Sequence, residues 1–385
     1  MKEKIFLSLG IVFAICGIAM FVVPFALPKE SLPELTFPHL PSRIENSDKI
    51  YSDLTGLELS SAADKTAPTF CVQTPNGTDG ARPQAGLTRA GVVFEAIAES
   101  GITRFAAIYQ NPSSAVIGPI RSLRIYYLQW DTPFDCTIVH AGGAADALAA
   151  VARGGYKDLS ENYAYMYRGS YGVRLWNNLF TTGAYLKQFA NDAGYTTSNV
   201  NGFKRMTPAQ SYISRIDETV TERLNIVEPT EGNTSSLVPK VTDIAINFGG
   251  WATFNVRYSY DTASNTYRRG YETGYPHEVY ECPDDNLGEV NPEDRCVLTQ
   301  LSPAVVAAIK VSEHLASYDG YHEDITTIGT GEAVIFQNGI AIPGTWSKEN
   351  VESQIKFYDR NGAEIALAPG QTFVEAVPEY GTIEY

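Results

Sequence analysis

The sequence predicts an α+β protein carried outside the cytoplasm by one transmembrane helix. Three observations predict it. An uncharged apolar run opens the chain, the first half mixes strand and helix patterns, and the second half alternates apolar and polar residues between hairpin turns. With 385 residues there is room for two domains of ordinary size. The 44% hydrophobic content is that of a globular chain.

The run IFLSLGIVFAICGIAMFVVPFAL, residues 5–27, contains no charged residue. A hydrocarbon core of about 30 Å takes roughly 20 apolar residues of helix. Lys2 and Lys4 precede it, so residues 1–4 are expected to stay in the cytoplasm and the remainder to lie outside. No small-x-small cleavage site follows, which favours an uncleaved anchor over a cleaved signal. A lipoprotein signal at AIC (Cys16) is a further alternative, although an apolar stretch continues beyond that cysteine. Residues 28–67 are rich in Pro, Ser and Asp and read as a linker.

A net charge of -15 argues against wholesale binding to nucleic acid or an anionic membrane face, since both need a basic surface. Tyrosine is common, 23 copies against 17 phenylalanines, which suits β structure and surfaces facing carbohydrate or peptide. Of five cysteines, Cys16 lies in the anchor, and Cys71, Cys136, Cys282 and Cys296 fall in an oxidising space. Four cysteines allow three pairings. Cys282 and Cys296 bracket an acidic loop and are expected to pair. Cys136 sits in an apolar run and reads either as the partner of Cys71 or as a buried thiol.

In VVFEAIAESGITRFAAIYQ, Ser100-Gly101 separates two apolar runs rich in β-branched and aromatic residues, which predicts a hairpin. A helix through VVFEAIAE is the competing reading. Gly118-Pro119 marks a loop, and Ser122 is expected to cap a short helix towards Trp130. CTIVH then reads as a buried strand, AGG as a turn, and AADALAAVARGG as a helix ended by glycine. Residues 216–240 turn polar and mark the boundary between a first domain, 68–215, and a second, 241–380. The second domain is expected to be mostly antiparallel sheet, with hairpin turns at DTASN, Asn338-Gly339 and Asn361-Gly362.

Several of these motifs are specific. ARPQAGLTRAGVVFEAIAESGITRF, IGPIRSLR, IVHAGGAADAL, YDTASNTYRRGYETGYPHE, VIFQNGIAIPGTWSK and FYDRNGAEIALAPGQTFVE, in this order, resemble the YerB-like bacterial lipoprotein family. The resemblance covers roughly residues 68–378. It implies an N-terminal and a C-terminal domain of unknown function, a layered α+β sandwich of ββα type in the first, and a place in the cell envelope near wall synthesis. It carries over no catalytic residues. The chain departs from that family in its anchor, in Asn177 of WNNLF, where the family often has histidine, and in the Cys282–Cys296 loop, which looks like an insertion.

Between Arg82 and Arg124 lie Arg82, Arg89, Arg104, Arg121 and Arg124, two glutamates (Glu95 and Glu99) and no lysine. Arginine's planar fork binds carboxylate or phosphate through paired hydrogen bonds. Arg121 and Arg124 would share a face if Ser122 starts a helix. With His140, Gly142 and Gly143 at the mouth of the next helix, Arg104, Arg121 and Arg124 form the candidate site for an anionic ligand. The alternative is that these arginines form internal ion pairs with Glu95 and Glu99.

His140 is the candidate general base, with Glu95 or Glu99 as its acid–base partner. No GxSxG, HExxH or ligand-spaced histidine pair supplies a nucleophile or metal. Glycosidase chemistry needs two facing carboxylates, and Glu95 and Glu99, expected on one face of a strand, would need a partner opposite. His314 and His322, among Glu313, Asp319, Glu323 and Asp324, read as a solvated acidic loop, with a divalent-metal site as the alternative. His277 reads as a packing residue, with contact to a sugar or to the first domain as the alternative. No cofactor, metal or nucleic acid is expected. The leading expectation is a non-catalytic envelope protein that binds peptidoglycan, an anionic wall polymer or a wall-synthesis protein. The alternative is a hydrolase or lyase acting on peptidoglycan or a related glycan.

Overall fold

Ser100 and Gly101 reverse the chain between two strands, and every other layer is arranged around that hairpin. The computed structural model describes residues 49–113, 115–169, 177–216, 241–283 and 291–385, all in one compact unit, Ser47–Tyr385. The expected anchor, 5–27, and all but the first residue of the expected interdomain linker lie outside the described residues. No helix among the described residues is long and apolar enough to cross a membrane.

The strands before that linker are β1 (Thr69–Pro75), β2 (Val92–Glu99), β3 (Ile102–Gln110), β4 (Val116–Ile117), β5 (Thr137–Val139), β6 (Lys157–Leu159), β7 (Tyr167–Arg168) and β8 (Leu179–Thr182). Those after it are β9 (Asp243–Asn247), β10 (Val256–Asp261), β11 (Thr266–Tyr271), β12 (Glu278–Glu281), β13 (Val297–Gln300), β14 (Val305–Val311), β15 (Glu313–Leu315), β16 (Glu323–Ile325), β17 (Gly329–Gln337), β18 (Ile340–Lys348), β19 (Lys356–Asp359), β20 (Thr372–Pro378) and β21 (Thr382–Glu384). The helices are α1 (Ala62–Lys65), α2 (Ile125–Asp131), α3 (Ala145–Ala152), α4 (Gly183–Ala193), α5 (Pro208–Ile216) and α6 (Pro292–Arg295). The fold is thus mixed α+β with mostly strands.

Ten strands form one mixed sheet in the order β19-β18-β17-β14-β20-β2-β3-β1-β5-β6. The segments before and after the linker meet inside it. β20 runs parallel to β2, pairing Val92 with Thr372 and Glu95 with Glu375, and it also runs parallel to β14. Central strands buried on both faces read as continuous apolar runs rather than alternation. β2 fits this, since only its last residue is not buried. This is why a helix competes for VVFEAIAE in the sequence; the hairpin is what forms.

One face of the sheet is covered by α2, α3 and the extended residues 199–206, with Phe94, Trp130, Phe134 and Phe203 in its core. The other face carries a second, four-stranded antiparallel sheet, β11-β10-β9-β21, packed through Ile244, Tyr258 and Tyr267 onto Val306, Ala308 and Phe336. Beside it, α4 and β8 pack onto Phe105 and Phe373.

Three sequence expectations change. Residues 49–67, expected in the linker, are built into the fold: Leu54 is buried in the core, and its carbonyl accepts from Arg205 Nη2 at 2.5 Å. Ser122 does not cap α2, whose N-cap is Arg124 with no side-chain bond. Residues 121–123 are already paired with 141–144 (Ala141 N to Arg121 O, Leu123 N to Gly142 O), so the helix cannot begin before Arg124. The Asn361-Gly362 turn forms, but the chain beyond it returns only as an isolated bridge, Tyr358 to Glu364.

Both cysteine pairs outside the anchor are bonded. Cys282–Cys296 closes the short acidic loop, and Cys71–Cys136 ties β1 to the residue just ahead of β5. Loop lengths of this order contribute about 3 and about 4 kcal/mol in the chain-entropy model.

Candidate functional site

The HAGG turn and the GPIRSLR segment do come together. Leu123 forms a parallel bridge with Gly143, and the backbone bonds between 121–123 and 141–144 lay one segment along the other. Gly142 takes φ +67°, a left-handed turn that favours glycine. A Cβ on Gly143 would stand 3.2 Å from the Leu123 carbonyl. Both glycines therefore answer to the turn and to the close approach of the two segments.

His140 is buried, and both ring nitrogens are occupied. Nδ1 lies 2.7 Å from the Gly142 carbonyl and Nε2 lies 2.9 Å from Asp158 Oδ1. The free N–H groups that open α3 already have a carboxylate at hand, because Asp146 in its first turn accepts from Ala147 N at 2.7 Å.

Arg104 and Arg124 converge on one carboxylate. Arg104 Nη2 donates to Glu99 Oε1 at 2.7 Å and Arg124 Nη2 to Glu99 Oε2 at 2.6 Å, with both arginine side chains almost fully buried. Burial opposes ionisation of Glu99, but the two guanidinium groups outweigh it and hold the carboxyl below its ordinary range. Arg104 Nη1 donates to the Ser122 carbonyl and Arg124 Nη1 to the Leu123 carbonyl. Arg121 is half-buried and, with α2 starting only at Ile125, shares no helix face with Arg124.

Glu95 and Glu99 do not face each other. A bulge between Ile97 and Glu99 shifts the phase of β2. Glu95 accordingly accepts from Thr103 Oγ1 at 2.6 Å, while Glu99 meets Arg104, the neighbour of Thr103 on β3 and so on the opposite face. The paired-carboxylate geometry of a glycosidase is not present between these two residues.

Glu95 instead belongs to a fully buried polar network joining the two halves of the chain. Arg269 Nη2 donates to Glu95 Oε2, and Arg269 Nε donates to the Tyr258 hydroxyl at 3.1 Å. That hydroxyl in turn donates to Glu375 Oε1. Burial, with the Glu95 carboxylate beside it, pushes the Glu375 carboxyl well above its ordinary range. His277 lies at the other end, packed 5.9 Å from the Phe105 ring. The Gln84 amide donates to Pro75 O and Asn76 Oδ1, so its oxygen accepts from His277 Nε2 at 2.9 Å. His277 Nδ1 then accepts from Arg269 Nη1, and burial together with Arg269 and Arg82 pushes the imidazole well below its ordinary value.

In the loop joining β15 to β16, Asp319 pairs with His322 at 2.5 Å, and across the two strands His314 faces Asp324 at 3.5 Å, as two separate pairs. No group of three His, Cys, Asp or Glu side chains among the described residues is placed to hold a metal.

Two family models match the chain. The N-terminal domain of DUF3048, a protein of unknown function, matches residues 54–196, and the DUF3048 C-terminal domain matches residues 244–374. The chain belongs to the DUF3048 family. It is 26% identical over 344 residues to "Putative lipoprotein YerB" of Bacillus subtilis (strain 168), covering 87% of this chain and 88% of that protein. Its fold is similar to the crystal structure of the YerB protein from Bacillus subtilis, with a TM-score of 0.66 at 23% identity, over 88% of this chain and 100% of that one.

The network joins Glu95 and Gln84 of the DUF3048 N-terminal domain to Arg269, Tyr258 and His277 of the C-terminal domain, and sequence reasoning missed the Glu95–Arg269 link. Arg269 and Glu95 are separated by 174 residues, and no local pattern relates them. Asn177 is buried and donates to Asp79 Oδ1 at 3.0 Å.

Proposed function

We propose that this DUF3048 protein is a membrane-anchored extracytoplasmic protein of the bacterial envelope that binds a cell-wall component or a wall-synthesis partner without catalysing a reaction. The observation that carries this reading is that every candidate acid–base group is committed to a partner inside the protein. His140 is held by Gly142 and Asp158, Glu99 by Arg104 and Arg124, and Glu95 by Arg269, Asn76 and Thr103. A general acid or base must reach the proton it transfers, and these groups face inward.

The apolar run 5–27 supports a single-pass anchor with the N-terminus inside. Two disulfides suit an oxidising compartment, and the similarity to YerB, a lipoprotein by name, supports membrane association. The competing hydrolase reading has the His140–Asp158 pair in its favour, the arrangement that orients a catalytic imidazole elsewhere. It is the weaker reading because the His140 side chain is only 1% exposed.

The test is co-sedimentation of the full-length chain, in detergent micelles, with purified wall sacculi. Saturable binding that survives His140→Ala is the expected result. No binding, or binding lost with His140, contradicts the proposal.

A further inference from the structure

Resting on the wall-binding reading, we propose that the ligand is an uncharged, hydroxyl-rich glycan strand. It would be held on aromatic side chains that ring the β2–β3 turn, above the arginines already bound to Glu99. Trp251, Tyr318, Tyr321 and Tyr380 are 66%, 49%, 53% and 61% exposed, although aromatic rings of this size ordinarily bury most of their surface.

Contacts place all four at one end of the sheet. Trp251 Nε1 donates to the Ser100 carbonyl at 3.1 Å, and Gly250 packs against Gly101. On the other flank, His322 bridges to Glu99, with the Tyr321 and Tyr318 rings 5.1 and 6.2 Å from its imidazole. The Tyr380 ring lies against Gly249, and its hydroxyl donates to Glu313 Oε1 at 2.7 Å. Exposed apolar surface gathered in this way marks an interaction site.

Charge decides what kind of ligand fits. The carboxylates within the surface are already partnered: Asp319 with His322, Asp324 with His314 and Glu313 with Tyr380. The arginines beneath are bound to Glu99. Arg104 and Arg124 share the one Glu99 carboxylate and are almost fully buried, and Asp319 and Asp324 on the surface outweigh the single positive charge left over. An anionic polymer therefore finds no net positive face there, and the chain as a whole carries -15. What the surface offers is ring faces with negative quadrupole, on which the weakly positive C–H groups of a sugar ring settle. Around them, the loose and exposed His314–Asp324 pair, 3.5 Å apart, is able to accept from and donate to hydroxyls.

The test uses the full-length chain in detergent micelles with two probes: intact wall sacculi, and chitin beads as a peptide-free, uncharged glycan. Two variants, Trp251→Ala and Tyr318→Ala/Tyr321→Ala, are compared with Tyr163→Ala, an exposed tyrosine elsewhere. Thermal unfolding confirms that each is folded. The parent is expected to bind both probes, the two surface variants to lose at least ten-fold on both, and Tyr163→Ala to match the parent. Binding to sacculi but not chitin overturns the glycan assignment, as do surface variants that bind like the parent. A loss of binding when anionic polymers are stripped from the sacculi also overturns it. In these three outcomes wall binding itself still stands. Failure to bind either probe removes both.

Discussion

Glu95 and Glu99, four residues apart on one strand, point to opposite faces of the sheet. The bulge after Ile97 separates them: Glu95 enters a buried network with Arg269, and Glu99 clamps Arg104 and Arg124 on the far side. Each carboxylate therefore neutralises buried cations, and its removal should be felt as instability rather than as lost chemistry.

Glu99→Ala leaves two guanidinium groups almost fully buried without a counter-charge. Breaking a buried pair from one side costs about 3–5 kcal/mol. The denaturant midpoint of the variant should fall accordingly. A loss under about 1 kcal/mol contradicts the clamp.

Arg269→Met and Glu375→Gln should differ sharply. The first strands the Glu95 carboxylate in the interior and should also cost about 3–5 kcal/mol. The second replaces a carboxyl whose ionisation burial opposes with a neutral group of nearly the same shape, so the change should stay within about 1 kcal/mol. Equal losses in urea unfolding would contradict the upward shift of the Glu375 carboxyl.

Stability should depend on pH through Glu313. Burial lifts its carboxyl from 4.5 to about 7, opposed by the hydrogen bond from Tyr380. The folded state then holds a proton that the unfolded state releases, so this group's contribution falls as pH rises from about 4.5 to about 7. Glu313→Gln should unfold like the parent near pH 4 and be more stable by about 1–3 kcal/mol at pH 8. Parallel pH profiles for the two proteins contradict the assignment.

The disulfides should contribute unequally. Cys71 and Cys136 close a span of 65 residues, and Cys282 and Cys296 a span of 14. The paired Ala substitutions should cost about 4 and about 3 kcal/mol, the longer loop more. The reverse order in thermal unfolding would count against the entropic account.

Local chemistry made much of this legible in the sequence. Ser100-Gly101 and Asn338-Gly339 announce their hairpins because a positive φ at those turns suits Gly and Asn. The strand, turn and helix around His140 were readable for the same reason, and so was the Cys282–Cys296 pair. Non-local pairing was not readable. The junction of β2 with β20 depends on burying two apolar strands far apart in sequence, and the bulge that turns Glu99 away leaves no signature in SGITRF. Ser122 misled because its cap is overridden by backbone bonds to the HAGG turn. The aromatics could be counted from composition, but only the fold brings Trp251 and Tyr321 to the two flanks of one β2–β3 turn.

The most direct test of a binding protein without catalysis is the soluble fraction left after the full-length chain is incubated with wall sacculi, read by mass spectrometry. The account predicts that the chain sediments with the wall while the supernatant matches a protein-free control. New wall fragments that vanish with His140→Ala or Glu99→Gln would contradict it.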